Sequence, residues 1–303
     1  MQTIYANYVR KVPLLAYQRE NVVTPDGDFL HLDWVLNSGK RLVILTHGIA
    51  GDSQCSYMRG MGQAFLQKGW SVLAWNMRGR GSDTPNVKKE NYHMGFTHDL
   101  RFVVDHVIQE KSFSEVVIIG FSMGGNILLK YLGEEGSCAP AALRASIAIS
   151  APIDLVSCGI HMDLAANRLY SAKLLKELLA ILDRKHSLLA SHINVSSLRE
   201  VKTWKEFDET YTVPLYGFRD FEDYRQKASS KPLLAKLGVP SLLLNAYDDP
   251  MLTAECFPTS IVNQNPHLFG EFPENGGHIG FVSFQNNGLL WSEERAVEFV
   301  EKL

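Results

Sequence analysis

Glu115-Val116-Val117-Ile118-Ile119-Gly120-Phe121-Ser122-Met123-Gly124-Gly125-Asn126-Ile127-Leu128-Leu129-Lys130-Tyr131 decides how the rest of the chain is read. Its β-branched run predicts a fully buried strand, and Asn126 to Leu132 predict the start of a helix. Between them lies Gly120-x-Ser122-x-Gly124, the spacing of a sharp strand-to-helix turn with a serine at its tip. Such a reversal holds the serine in a strained backbone conformation and leaves no room for Cβ atoms two residues to either side. The helix that follows points its free N–H groups at whatever the serine attacks. A glycine-rich turn in an unrelated parallel sheet would share the spacing, so the flanking chain has to decide.

Working outward, Arg41-Leu42-Val43-Ile44-Leu45-Thr46 is a second buried strand that runs into His47-Gly48-Ile49-Ala50-Gly51-Asp52. A backbone that turns there can aim the N–H of Ile49 at a developing oxyanion, and the N–H of Met123, directly after Ser122, supplies a second donor. His47 is read as a residue that fixes this loop, not as a base. Ser71 to Trp75 is the next strand. Thr97 to Gln109 carries Leu100, Val103, Val104, Val107 and Ile108 at helical spacing, the buried face of a crossover helix. Asp99, Asp105 and His106 on that helix are read as solvated-face or helix-end charges. Ala145 to Ser150 is another short strand, and the strand–helix–strand rhythm predicts a mostly parallel sheet covered on both faces. Upstream, Thr24-Pro25-Asp26-Gly27 is turn chemistry between Asn21-Val22-Val23 and Phe29 to Val35, an antiparallel hairpin at the sheet edge in which His31 is a satisfied or solvent-facing residue.

From about Ala151 to Lys231 the rhythm breaks. Met162 to His186 places Leu164, Leu169, Leu174, Leu175, Leu178, Ile181 and Leu182 on or near one helical face, and Thr203 to Arg225 is rich in aromatics. Packing onto the sheet domain is the plain reading of such a stripe. The functional reading is a helical cap over residues 151–231, inserted within a single domain of residues 1–303 and roofing the serine against water. A membrane-surface role for Leu174 to Leu189 is weaker, because its polar face mixes signs. The sheet resumes at Val239 to Ala246, ending in Tyr247-Asp248-Asp249-Pro250. His267 to Phe272 is a last strand, ending in Pro273-Glu274-Asn275-Gly276-Gly277-His278, and Trp291 to Leu303 closes the chain as a helix.

Ser122, an aspartate and His278 thus stand in that order, each past the end of a buried strand, where catalytic groups collect on open parallel sheets. A serine hydroxyl needs a base at neutral pH, imidazole titrates in the useful range, and a carboxylate holds its tautomer. Asp248 and Asp249 compete for that post. Asp249, three residues past Ala246 and next to Pro250, is favoured, with Asp248 bracing the loop.

Bulk composition narrows the class. The chain has 303 residues, 46% of them hydrophobic, enough for a large core. A net charge of -3, from 30 basic and 33 acidic residues, gives no global field favouring nucleic acid or an anionic membrane. Cys55, Cys138, Cys158 and Cys256 are scattered without metal-ligand or disulfide spacing, which suits a reducing compartment. No apolar run approaches the ~20 residues of a membrane span, and the first residues lack a signal-peptide core, so a cytoplasmic protein without an integral membrane segment is expected.

Gly120-Phe121-Ser122-Met123-Gly124-Gly125-Asn126 with His47-Gly48-Ile49-Ala50-Gly51 resembles the α/β-hydrolase superfamily. Phe207-Asp208-Glu209, Pro214-Leu215-Tyr216-Gly217-Phe218, Asn245-Ala246-Tyr247-Asp248-Asp249-Pro250, Asn76-Met77-Arg78-Gly79-Arg80-Gly81 and Pro273-Glu274-Asn275-Gly276-Gly277-His278 are similar to the YheT-like, embryogenesis-associated branch. The resemblance implies an α/β-hydrolase fold, a mostly parallel twisted sheet flanked by helices with a helical cap. It implies a serine esterase with catalytic Ser122, Asp249 and His278, oxyanion donors Ile49 and Met123, no cofactor or metal, and a small-molecule ester as substrate. Relatives in that branch also include acyltransferases, so delivery of the acyl group to an alcohol is a rival outcome. A catalytically silent interaction module on the same fold is a second rival, opposed by the intact serine, histidine and acid. Tyr216 departs from the pattern, where a histidine is commoner.

Overall fold

Eight strands form one sheet in the order β1-β2-β4-β3-β5-β6-β7-β8. The computed structural model describes residues 2–82, 86–88, 91–111, 113–283 and 288–303. The strands are β1 (Gln18–Val23), β2 (Phe29–Val35), β3 (Arg41–Thr46), β4 (Ser71–Asn76), β5 (Glu115–Phe121), β6 (Leu143–Ile149), β7 (Ser241–Leu244) and β8 (Leu268–Glu271). β3 to β8 pair in parallel, while the hairpin β1–β2 runs antiparallel on the edge beside β4. His31 in that hairpin is buried and satisfied, with Nδ1 2.6 Å from Asn21 Oδ1 and Nε2 2.9 Å from Ser82 Oγ.

The β-branched strands are buried on both sides because alternate residues enter opposite cores. Leu42, Ile44, Val116 and Ile118 face one cluster, and Val43, Leu45, Val117 and Ile119 face the other. Burying each such side chain stabilises the fold by roughly 2 kcal/mol. The first cluster is roofed by α2 (His98–Glu110), through Leu100, Val103, Val104 and Val107, and by α3 (Met123–Glu135). The second is roofed by α1 (Ser56–Leu66), through Met58, Met61 and Phe65, and by the C-terminal helix Trp291–Glu301 with Ala296, Phe299 and Val300 inward. The helices after β3 and β5 therefore leave on opposite faces, and the strand ends between them form an open crevice. α3 begins at Met123, three residues before the expected start at Asn126. Gly124 and Gly125 lie inside its first turn, where a Cβ on Gly124 would come within 2.5 Å of Thr46 O and one on Gly125 within 2.9 Å of Ala151 Cβ, so close packing and not helix propensity selects them.

Between β6 and β7 the chain builds a second, smaller layer: α4 (Leu155–Met162), α5 (Arg168–Asp183), several short turns, and α6 (Phe221–Ala228). Local signals start these helices. Asp154 accepts from Ser157 N at 3.1 Å, Asp220 accepts from Asp223 N at 2.7 Å, and Thr203 and Glu206 form a reciprocal capping box. The layer has its own hydrophobic cluster, where Leu175, Leu178, Ile181 and Leu182 meet Trp204, Phe207, Tyr211 and Leu215. Leu164 and Leu169, expected on the same face, are instead exposed, Leu169 by 87%. They precede the packed part of the α5 stripe, and Leu169 faces the crevice. Asp208 and Arg225 form a buried ion pair within this layer, at 2.6 and 2.7 Å. Cys158 on α4 brings its Sγ within 3.3 Å of Cys256 Sγ, both as free thiols. Among the described residues no helix is long and apolar enough to cross a membrane.

Candidate active site

Because β3 and β5 are neighbours, with Thr46 opposite Gly120, the loops that leave their ends meet. Ser122 sits at the tip of the β5–α3 turn with φ of 52° and ψ of -121°. The glycines answer to crowding, as the spacing predicts. A Cβ on Gly120 would come within 2.4 Å of Gly124 O, and one on Gly124 within 2.5 Å of Thr46 O and His47 O. A side chain on Gly124 would push the turn off the end of β3, and one on Gly120 would push β5 away from the first turn of α3.

Ser122 Oγ lies 2.9 Å from His278 Nε2. His278 Nδ1 lies 2.8 Å from Asp249 Oδ2 and 3.1 Å from Oδ1. All three residues are buried, at 8, 6 and 5% exposure for Ser122, His278 and Asp249, and Ser122 and His278 both border the open cleft while the Asp249 side chain does not. Asp249 lies past β7 and His278 past β8, so the parallel pairing of these strands brings them together. Asp248 takes a different post. Its Oδ1 accepts from Gly276 N at 2.7 Å and Gly277 N at 2.6 Å, which ties the histidine loop to the aspartate loop. Ser150, past the end of β6, adds a third tie through its Oγ, which accepts from Ile279 N at 2.9 Å.

The β3 loop is held from several sides. Gly48 N donates to Tyr57 Oη at 3.1 Å, and Ala50 N donates to Tyr92 Oη at 3.1 Å, with Ala50 at a φ of 55°. Burial raises the pKa of both phenols, so they stay neutral at pH 7. His47 is fully buried; its Nδ1 donates to Gly48 O at 2.7 Å and its Nε2 accepts from Met77 N at 3.1 Å. These partners require the neutral ring, and burial lowers its pKa to about 4. Among the described residues, neither the Ile49 nor the Met123 backbone N–H has a hydrogen-bond acceptor, and Ile49 and Met123 flank Ser122.

Two spaces open on Ser122 and His278. The outer is a wide cleft of about 870 Å³, whose wall includes Gly48, Arg80, Leu169, Lys173 and Glu177. The inner is an apolar chamber of about 60 Å³ between Ile49, Leu155, Met162, Leu174, Trp204 and Met251. Tyr216 borders neither; its ring packs 4.7 Å from that of His93. Among the described residues, no group of three His, Cys, Asp or Glu side chains could hold a metal ion.

Other motif residues are structural. Arg78 spans Asp99 at 2.8 Å, Asp26 at 2.6 Å and Asp28 at 3.4 Å, pinning the segment after β4 to the hairpin turn. Asp99 is a helix-end charge in the first turn of α2, as one of its two readings had it, but it is buried and paired with Arg78, not solvated. Ser150 and Tyr92 escaped the sequence reading because each acts on a backbone N–H far along the chain, and Tyr57 because it reaches back from α1 across the loop to Gly48 N, which no helical or strand spacing records.

The model of the alpha/beta hydrolase fold matches residues 41–284. The protein YheT of Escherichia coli (strain K12), whose name carries the word esterase, is 30% identical over 99% of this chain and 89% of its own. The embryogenesis-associated protein EMB8 of Picea glauca is 29% identical over 100% of this chain and 70% of its own. Among solved structures, the Pyrococcus furiosus esterase Pf2001 superposes with a TM-score of 0.64 at 18% identity, covering 97% of this chain and 96% of that one, a likeness of fold. With sheet order, serine turn and relatives in agreement, the chain belongs to the α/β-hydrolase fold family, in the branch that contains YheT and EMB8.

Proposed function

We propose that this protein is a serine hydrolase of carboxylic esters, working through an acyl-enzyme. The observation that carries the reading is the continuous row of contacts from Ser122 Oγ to His278 Nε2 and from His278 Nδ1 to Asp249. His278 takes the Ser122 proton as Oγ attacks the ester carbonyl, and Asp249 holds the ring so that Nε2 faces the serine. The N–H groups of Ile49 and Met123 receive the oxyanion, the second from the N-terminus of α3. His278 then gives its proton to the departing alcohol. A water, deprotonated by the same imidazole, releases the acid and restores Ser122.

The layer between β6 and β7 acts as a cap over residues 151–231, and its α4 and α5 supply Leu155, Met162 and Leu174 to the inner chamber. An apolar acyl group fits this chamber, with the alcohol portion in the outer cleft. The test is hydrolysis of p-nitrophenyl esters from two to eight acyl carbons by the parent and Ser122→Ala. The reading expects Ser122→Ala to lose activity on every ester. A Ser122→Ala variant as active as the parent would overturn it, and rates that fall steadily from two to eight carbons would count against the apolar acyl group.

A further inference from the structure

The histidine loop is unusual in how its backbone is held. Four successive N–H groups, Gly276 to Ile279, donate to side chains from distant parts of the chain, not to neighbouring carbonyls. Asp248 takes the first two, Ser150 takes that of Ile279, and Thr3 Oγ1 takes that of His278 at 2.9 Å. The loop cannot rest on its own conformational preference, because Gly277, Ile279 and Phe281 all have positive φ, at 60°, 57° and 40°. Its shape is imposed by these ties. Asp248 and Ser150 come from the loops that follow sheet strands. Thr3 comes from the N-terminal segment, 275 positions away.

We infer that the N-terminal segment is part of the active site, with Thr3 a positioning residue that fixes the backbone of His278. Independent contacts show the two segments built to each other. A Cβ on Gly277 would come within 2.6 Å of Thr3 Oγ1, and one on Gly280 within 2.8 Å of the Gln2 carbonyl carbon. Gln2 Oε1 accepts from Val282 N at 2.8 Å, just beyond the loop. Further along, Ser56 Oγ donates to Ala6 O at 2.9 Å, and Arg10 grips Glu293 with two contacts of 2.6 and 2.7 Å. The segment is thus fastened at both ends with Thr3 buried against the loop, and Thr3 and Ile4 complete the wall of the outer cleft.

The inference rests on His278 as the base of a serine hydrolase. A small shift of the His278 backbone moves Nε2 relative to Ser122 Oγ, which changes the chemical step more than substrate binding. Thr3→Val keeps the side-chain shape and removes the hydroxyl; Thr3→Ser keeps the hydroxyl and drops the methyl. In the 303-residue chain, Thr3→Val is expected to lower kcat roughly tenfold or more with KM within about twofold, and Thr3→Ser to stay within about threefold of the parent. The rate of labelling by a fluorophosphonate should fall with kcat in Thr3→Val. Circular dichroism gives the folded fraction of each variant at the assay temperature. Unchanged kcat in Thr3→Val, equal damage in Thr3→Ser, or a loss no larger than the loss of folded protein would each overturn the inference. A folded parent that the probe does not label would fail the hydrolase reading itself, whatever Thr3→Val does.

Discussion

Asp249 Oδ2 lies 2.8 Å from His278 Nδ1, although adjacent Asp248 has a carboxylate of the same length and lies on the same loop. The two acids are divided by partner: Asp249 meets the imidazole, and Asp248 receives two backbone N–H groups of the histidine loop. Asp249→Asn is therefore expected to lower kcat by about a thousandfold or more, because the amide disturbs the tautomer the base requires. Asp248→Asn keeps an acceptor oxygen and should lose less than about tenfold, while Asp248→Ala, which strands two N–H groups, should lose more. Steady-state kinetics on one activated ester ranks the three. A larger loss in Asp248→Asn than in Asp249→Asn would exchange the two roles.

The Asp208–Arg225 pair ties the short turns of the layer between β6 and β7 to α6, and Arg225 Nη1 also donates to Leu155 O at 3.1 Å on α4. Both side chains are about as buried as core leucines, and burial pushes the Asp208 carboxyl pKa up against the pull of Arg225. Removing either partner alone leaves a buried charge, so Asp208→Leu and Arg225→Met should each cost about 3–5 kcal/mol. The double variant should recover much of that. Urea unfolding of the four proteins measures the cycle, and single variants costing less than about 1 kcal/mol would show that the pair is already solvated.

His47 makes stability depend on pH in one direction. Its folded-state pKa of about 4 lies below the 6.5 of an unburied ring, so the unfolded chain takes up the proton first. The stabilisation is complete above pH 6.5 and is lost progressively as pH falls towards 4, on the order of 3 kcal/mol in all. His47→Gln, which does not titrate, should lack this component. Unfolding free energies at pH 7, 6, 5 and 4 should show the parent losing ground to His47→Gln throughout. A constant difference between the two would mean that His47 takes up its proton at the same pH in the folded and the unfolded chain.

These results separate what the sequence displays from what it conceals. The buried strands and the serine turn were legible because period, β-branching and glycine crowding are local, and the structure meets them at β5, Ser122 and α3. The pairing of Asp249 with His278 was legible in order only; their contact depends on β7 and β8 lying side by side. The Arg78 cluster was hidden because Asp26, Asp28 and Asp99 converge only once the hairpin folds back beside β4. Leu169 was misread for a related reason: helical spacing marks a stripe, but it cannot say which end of the stripe runs past the partner layer into an open cleft. The ties on the histidine loop are the extreme case, since Ser150 and Thr3 are ordinary hydroxyl residues whose partners lie 129 and 275 positions away along the chain.

The most direct measurement is labelling with a fluorophosphonate, read as intact mass and located by peptide mapping, on the parent and Ser122→Ala. Phosphonylation needs a serine activated by its base beside a formed oxyanion site. The account predicts one adduct per parent chain, on Ser122, and none on Ser122→Ala. A folded parent that stays unmodified, or an adduct that persists in Ser122→Ala, would contradict it.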